Sequence, residues 1–185
     1  MNDVKRCHWC PEKDLLYCEY HDKEWGILRM EDAYLFEMLV LESFQAGLSW
    51  ACILHKREAF RSAFDGFDPV KIASYSEEKI EALMHDTGIV RNRRKILATV
   101  KNAQVFLSIL EEWGTFQSYL ESFTNGKIFY EQGQTRSKLS DDLSKDLKRR
   151  GVRFFGTTIA YSYLQAVGII NSHEKDCFLY RREVQ

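Results

Sequence analysis

Leu147-Lys148-Arg149-Arg150-Gly151-Val152-Arg153-Phe154-Phe155-Gly156-Thr157-Thr158 is the stretch around which the chain organises itself. A charged helical run ends at Gly151, a short apolar hairpin follows, and Gly156 stands before a new helix opening at Thr157 and Thr158. Glycines at both ends permit positive φ and a close backbone approach. The free N–H groups at the start of the second helix can bind an anion, and a DNA phosphate fits. Lys148, Arg149, Arg150 and Arg153 add positive charge where that phosphate lies. Arg91, Arg93, Arg94 and Lys95 form a second basic cluster. The plainer reading of the same pattern is an ordinary C′ glycine beside a solvated basic face.

Outward from this hairpin the apolar spacing is helical almost everywhere. The pattern predicts helices over 33–45, 48–60, 92–113, 115–123, 141–150 and 157–167. Asp68-Pro69 reads as an N-cap followed by proline at the first helical position, and Ser76-Glu77-Glu78 opens a helix that stops near Gly88. Asn125-Gly126 marks a turn, and 131–140 reads as a polar loop. No strand pair, internal repeat or low-complexity tract emerges. The expected architecture is all-α, with seven to nine helices around one or two cores.

Composition agrees. The 185 residues are 45% hydrophobic and 29% charged, which excludes a disordered chain, a collagen-like fibre and a disulfide scaffold. A chain of this length buries a full core without staples. No apolar run approaches the roughly 20 residues that span a bilayer. Met1-Asn-Asp-Val-Lys-Arg has no apolar stretch behind its charges, so it does not read as a signal peptide. The expectation is a cytoplasmic protein with no membrane contact. Twenty-six basic residues against twenty-seven acidic ones mean that a nucleic-acid surface must be gathered on one face. Five cysteines (Cys7, Cys10, Cys18, Cys52, Cys177) in a reducing compartment point to metal ligation or burial rather than disulfides.

His173 and Cys177 stand four apart, on one helix face. Cys7, His8, Cys10, Cys18 and His21 stand near the other end. A tetrahedral site drawing two ligands from each end would pin both termini together. Spacing alone favours Cys7 with Cys10 as the N-terminal pair, with Cys7 and His21 in competition. Elsewhere, the run 35–44 is apolar nearly all round, so it predicts a buried helix carrying carboxylates. Glu42 shares a face with Leu35, Met38 and Leu39. Glu37, beside Leu41 and Phe44, passes the same test, and periodicity does not separate the two. A buried carboxylate marks a site unless it reaches water at the rim. Trp9, Tyr17, Tyr20, Trp25 and Trp50 provide rings that could sandwich a flat ligand such as a nucleobase, although ordinary core packing uses the same residues.

Tyr20-His-Asp-Lys-Glu-Trp25-Gly, Leu35-Phe-Glu-Met, Leu41-Glu42, Gln45-Ala-Gly-Leu-Ser-Trp50, Phe67-Asp-Pro-Val-Lys, Leu143-Ser-Lys-Asp-Leu-Lys-Arg-Arg-Gly and Phe155-Gly-Thr-Thr occur in that order. In this the chain resembles the bacterial type I 3-methyladenine DNA glycosylase family, from Cys7 to about Tyr180. The resemblance implies one helical domain over 1–185, with a helix-hairpin-helix at about 141–167. It also implies a structural zinc clasp joining 7–21 to 173–177. Its activity is excision of 3-methyladenine from alkylated double-stranded DNA by a monofunctional glycosylase.

Position by position, the resemblance makes Cys7, His21, His173 and Cys177 the zinc ligands, so His21 replaces Cys10. It places Glu42 on the edge of the excised base and Trp9, Tyr17, Tyr20 and Trp50 around it. Leu48, at the tip of Ala-Gly-Leu, becomes the wedge that fills the vacated stack. Gly151, Arg153, Gly156, Thr157 and Thr158 fall on the DNA-contacting hairpin. Methylation at N3 leaves the adenine cationic and its glycosidic bond weak, so extrusion, stacking and a carboxylate suffice. The family motif before the C-terminal histidine reads Asn-Asp-His. Here it is Asn171-Ser172-His173, with no aspartate to face the sugar. Two rivals remain: a non-catalytic helix-hairpin-helix DNA-binding module and a zinc-stapled protein-interaction domain. The expected assembly is a monomer.

Overall fold

In the computed structural model, residues 4–181 are described. Met1, Asn2 and Asp3, at the head of the segment inspected for a leader, lie outside them. Among the described residues ten α-helices follow one another: α1 (Leu15–Lys23), α2 (Asp32–Gln45), α3 (Trp50–Leu54), α4 (Arg57–Ala63), α5 (Pro69–Ala73), α6 (Glu77–His85), α7 (Arg93–Trp113), α8 (Phe116–Thr124), α9 (Lys138–Arg150) and α10 (Thr157–Ala166). Their starts follow from short polar side chains that accept the first free N–H groups. Asp14, Ser49, Asp68, Ser76, Asn92 and Thr115 cap α1, α3, α5, α6, α7 and α8, each contributing about 1 kcal/mol.

The all-α expectation holds, with refinements. The segment read as one helix over 48–60 is two: Ser49 caps the first at Trp50, and the chain turns at His55 and Lys56 before α4. The loop read over 131–140 ends earlier, because Ser137 and Ser140 form a reciprocal cap and α9 begins at Lys138. The count of ten exceeds seven to nine because α1 is not read as a helix from the sequence and the 48–60 segment divides into α3 and α4. A parallel strand pair does exist: β1 (Phe129–Tyr130) beside β2 (Ile170–Asn171), in register Phe129 to Ile170 and Tyr130 to Asn171.

One contiguous apolar cluster runs through the described residues, with α2 at its centre against α3, α7, α8 and α10. Nine side chains of α2 are buried, from Leu35 to Phe44. The turn after α10 closes tightly on the chain entering α2. Gly168 has φ +80°, and a Cβ there would lie 2.2 Å from the backbone carbon of Ile27. Gly26 donates to the Gln165 carbonyl and Arg29 to that of Val167, at 3.0 and 3.1 Å. These contacts hold the 24–29 segment, and Trp25 with it, against the end of α10.

Candidate active site

Helix α2 delivers Glu42 to the wall of a cavity of about 450 Å³. Trp9, Tyr17, Tyr20, Trp25 and Trp50 line that cavity with it. Tyr20 and Trp50 lie 5.2 Å apart between ring centroids, and Trp9 meets Trp25 edge-on at 4.7 Å. Four aromatic residues read from the sequence as base partners therefore converge on one space. α1 supplies two of them, and α3 supplies Trp50.

Glu42 is 2% exposed, and its Oε2 has no hydrogen-bond partner. Burial alone pushes its carboxyl up to about 8. The tie with Glu37 breaks here. Glu37 accepts from Arg57 at 2.7 Å and from Arg61 at 2.6 Å, both on α4, so it is a paired structural carboxylate. Other cavity atoms share the condition of Glu42: Gln45 Oε1, Trp50 Nε1 and Ser172 Oγ are buried without partners. Each such group costs about 1–3 kcal/mol unless something completes it. Donors and acceptors ringed by aromatic faces suit a flat, polar-edged heterocycle. Burial also raises the hydroxyls: Tyr17 to about 12, and Tyr20 well above its ordinary range.

Gln45 and Ser172 were not singled out for the site from the sequence, nor were Ser162, Gln165 and the 133–135 loop, which also line the cavity. Gln45 stands one turn beyond Glu42 and was within reach of a helical reading. The loop approaches only through the fold.

Behind the cavity, Cys7, His21, His173 and Cys177 meet, all buried, with their ligating atoms within 4.8 Å of one another. Sγ of Cys7 lies 3.6 Å from Nδ1 of His173. Sγ of Cys177 lies 3.6 Å from that same nitrogen and 3.6 Å from Nε2 of His21. Cys10 is elsewhere, with its thiol 3.9 Å from that of Cys18, which corrects the spacing preference for a Cys7–Cys10 pair. The outer nitrogens are fixed. His21 Nδ1 donates to Asp22 at 2.8 Å, and the Arg6 guanidinium donates to both oxygens of Asp22. His173 Nε2 donates to the Trp25 carbonyl at 3.2 Å. Both inward nitrogens are thereby left with lone pairs, the tautomers that a metal requires. Burial, followed by the neighbouring His21, lowers His173 to about 4, and burial raises the Cys7 thiol to about 12.

The tip and the hairpin lie apart from this cluster. Leu48 is 42% exposed in the turn between α2 and α3. Gly151 ends α9 at φ +110° with its N–H on the Leu147 and Lys148 carbonyls. Gly156, where glycine permits positive φ, has φ −73°, and the positive value in the hairpin falls on Phe154. What glycine provides at 156 is room, for nothing lies within 4 Å of a Cβ placed there. Gly156 caps α10 without a side-chain bond, so the first N–H groups of α10 carry no side-chain cap. Thr157 turns its hydroxyl to Asp141 and Ser140 and ties α10 to α9. Asn102 of α7 holds the backbone of Arg153 from both sides, at 2.8 and 3.1 Å.

The basic clusters are thinner than the sequence suggests. Arg149 and Arg150 pair with Asp146, Arg150 also with Glu112, and Arg93 with Glu77 and Glu81. Lys95 is buried and donates to the carbonyls of Phe44 and Ala46 at 2.7 and 2.6 Å, capping the last turn of α2.

Residues 9–180 match the family model described as methyladenine glycosylase. DNA-3-methyladenine glycosylase 1 of Escherichia coli (strain K12) is 44% identical over 183 residues, covering 96% of this chain and 97% of that protein. A crystal structure of 3-methyladenine DNA glycosylase I superposes with TM-score 0.92 at 43% identity, covering 96% of this chain and all of that one. A point variant of 3-methyladenine DNA glycosylase I, solved in complex with 3-methyladenine, superposes with TM-score 0.86 at 40% identity, over 90% of this chain and 92% of that one.

Proposed function

From the premise that this chain belongs to the methyladenine glycosylase family, we infer that it excises 3-methyladenine from alkylated DNA by hydrolysing the N-glycosyl bond. The observation that carries this reading is Glu42, a buried carboxyl without a partner inside an aromatic-walled cavity. A methylated adenine completes it. The rings of Trp9, Tyr17, Tyr20 and Trp50 pack around the base, and Glu42 meets its polar edge. A cationic base draws Glu42 toward ionisation, and that attraction is absent for unmodified adenine. Selectivity and rate then share one source, because the bond to the cationic base is already weak and needs no strong acid.

Presentation of the base falls to the outer elements. Leu48 enters the stack as the nucleotide leaves it. α9, the turn through Gly151 and α10 act as a helix-hairpin-helix, in which uncapped N–H groups after Gly156 take a phosphate. Arg153 adds charge beside it, and Thr157 and Thr158 set the opening turn of α10.

The Cys/His cluster fits structural zinc. Zn–S bonds of about 2.3 Å and Zn–N bonds of about 2.05 Å in a tetrahedron set sulfur and nitrogen about 3.6 Å apart. Three of the four sulfur–nitrogen separations, Cys7–His173, Cys177–His173 and Cys177–His21, are each 3.6 Å. When bound, the metal supplies cross-linking rather than chemistry, because four protein ligands close the site. Cys7 and His21 then anchor the segment bearing Trp9, Tyr17 and Tyr20 to the 173–177 turn. The reading is of a monomer acting on alkylated DNA in the bacterial cytoplasm.

Chromatography of bases released from methylated duplex DNA tests the reading. The intact protein should release 3-methyladenine and leave 7-methylguanine behind, and Glu42→Gln should lose most of that release. Binding of DNA with no base released would establish the non-catalytic module instead.

A further inference from the structure

The start of α7 joins the Leu48 turn to the hairpin. Lys95 Nζ donates to the carbonyls of Phe44 and Ala46, where α2 runs into that turn, and lies 5.9 Å from the centre of the Phe154 ring in the hairpin. Arg94, its neighbour, holds its guanidinium carbon 6.0 Å from the same ring centre. Two helical turns further on, the Lys101 side chain runs beside the first glycine of the hairpin: a Cβ at Gly151 would lie 3.3 Å from its Cε. Asn102 then holds the backbone of Arg153 from both sides. α7 therefore runs along the hairpin from 94 to 102.

The charge left free on this strip is not the cluster that the sequence shows. Lys95 is buried on backbone carbonyls, and Arg93 is taken by Glu77 and Glu81. Arg94 and Lys101 are exposed, and among the described residues neither enters an ion pair. Seven residues apart, they share one face of α7, with Cα atoms about 10 Å from each other. Each strand of B-DNA carries a charge every ~3.4 Å along its axis, so the two side chains reach different phosphates. At the hairpin itself Arg149 and Arg150 are already paired with Asp146 and Glu112. Arg94 and Lys101 extend the remaining positive charge from the hairpin toward the Leu48 turn.

We propose that Arg94 and Lys101 make a second line of phosphate contacts, so that the bound duplex lies across α7 between the Leu48 wedge and the hairpin. The occupant is duplex DNA, because the strip is cationic and continuous with both elements assigned to DNA. These contacts position the duplex and read no sequence. The proposal rests on the reading of Leu48 and the hairpin as DNA-contacting elements.

The test is binding of a short duplex with a stable central abasic site, which offers no base to excise, over a range of salt concentrations. Arg94→Gln and Lys101→Gln should each flatten the slope of log affinity against log salt by about 0.9, and the double variant by about 1.8. Affinity for free 3-methyladenine and the melting temperature should not change, because both side chains are exposed and outside the cavity. Arg93→Gln removes the same charge from the same helix, but from a paired side chain, and should leave the slope as it is. An unchanged slope in the double variant overturns the proposal. So does an equal loss in Arg93→Gln, since net charge rather than contact would then set the affinity. Failure of the wild type to release 3-methyladenine from methylated DNA, with the slopes as expected, would sink the excision reading alone.

Discussion

Replacing Glu42 with glutamine should stabilise the free protein, and by more as the pH rises. The carboxyl is 2% exposed, one oxygen is unpaired, and burial lifts its pKa from 4.5 to about 8. Between those values the folded chain holds a proton that the unfolded chain has released. Stability therefore falls with rising pH across this window, by about 1.4 kcal/mol per pH unit, and levels off above pH 8. From pH 4.5 to 7 the loss is about 3 kcal/mol. Glutamine has nearly the same shape and does not titrate, so it escapes that loss. Calorimetric melting of both proteins from pH 4.5 to 8.5 should give near-equal midpoints at the acid end. At pH 7 the variant should melt about 6–12 °C higher, at about 2–4 °C per kcal/mol for a chain of this size. All other groups titrate in both proteins and cancel in the difference. A difference that stays constant or shrinks with pH would refute the reasoning, because Glu42 would then ionise normally in the fold. The same substitution should impair excision, a conflict between stability and activity expected where a site buries an unpartnered carboxyl.

Other perturbations act through different contacts. Cys7→Ser should leave less than one zinc per chain by elemental analysis and lower stability by several kcal/mol in urea melts, because two chain ends lose their tether. Lys95→Met strands the Phe44 and Ala46 carbonyls and should cost about 2 kcal/mol in the same assay. Gly168→Ala forces a Cβ to within 2.2 Å of the Ile27 backbone at φ +80°. It should cost more than 3 kcal/mol or prevent soluble expression.

How much of this was legible in the sequence depended on whether a residue's partners were local. α2 was plain because nine of its side chains are buried and the run is apolar. Which of its carboxylates matters was not, since the arginines that satisfy Glu37 arrive from α4. α1 escaped notice because its buried residues are Cys18, Tyr20 and His21, which form no apolar stripe. Local spacing favoured Cys10 as a ligand, whereas the fold brings His21 to Cys7 and leaves Cys10 to Cys18. Lys95 read as surface charge because its acceptors are backbone carbonyls, which no side-chain pattern records. The two-residue β1–β2 pair joins segments some forty residues apart and is too short to carry a period. Family resemblance resolved the ligand set and Glu42 where residue spacing alone left a choice.

The central claim is that the orphaned polar atoms around Glu42 are completed by a methylated base. Titration of free 3-methyladenine and of adenine into the intact protein and into Glu42→Gln, followed by calorimetry, tests it directly. The account predicts that the intact protein binds 3-methyladenine and discriminates against adenine, and that the variant loses most of this preference. Equal binding of the two bases, or a variant that binds as the intact protein does, would contradict it.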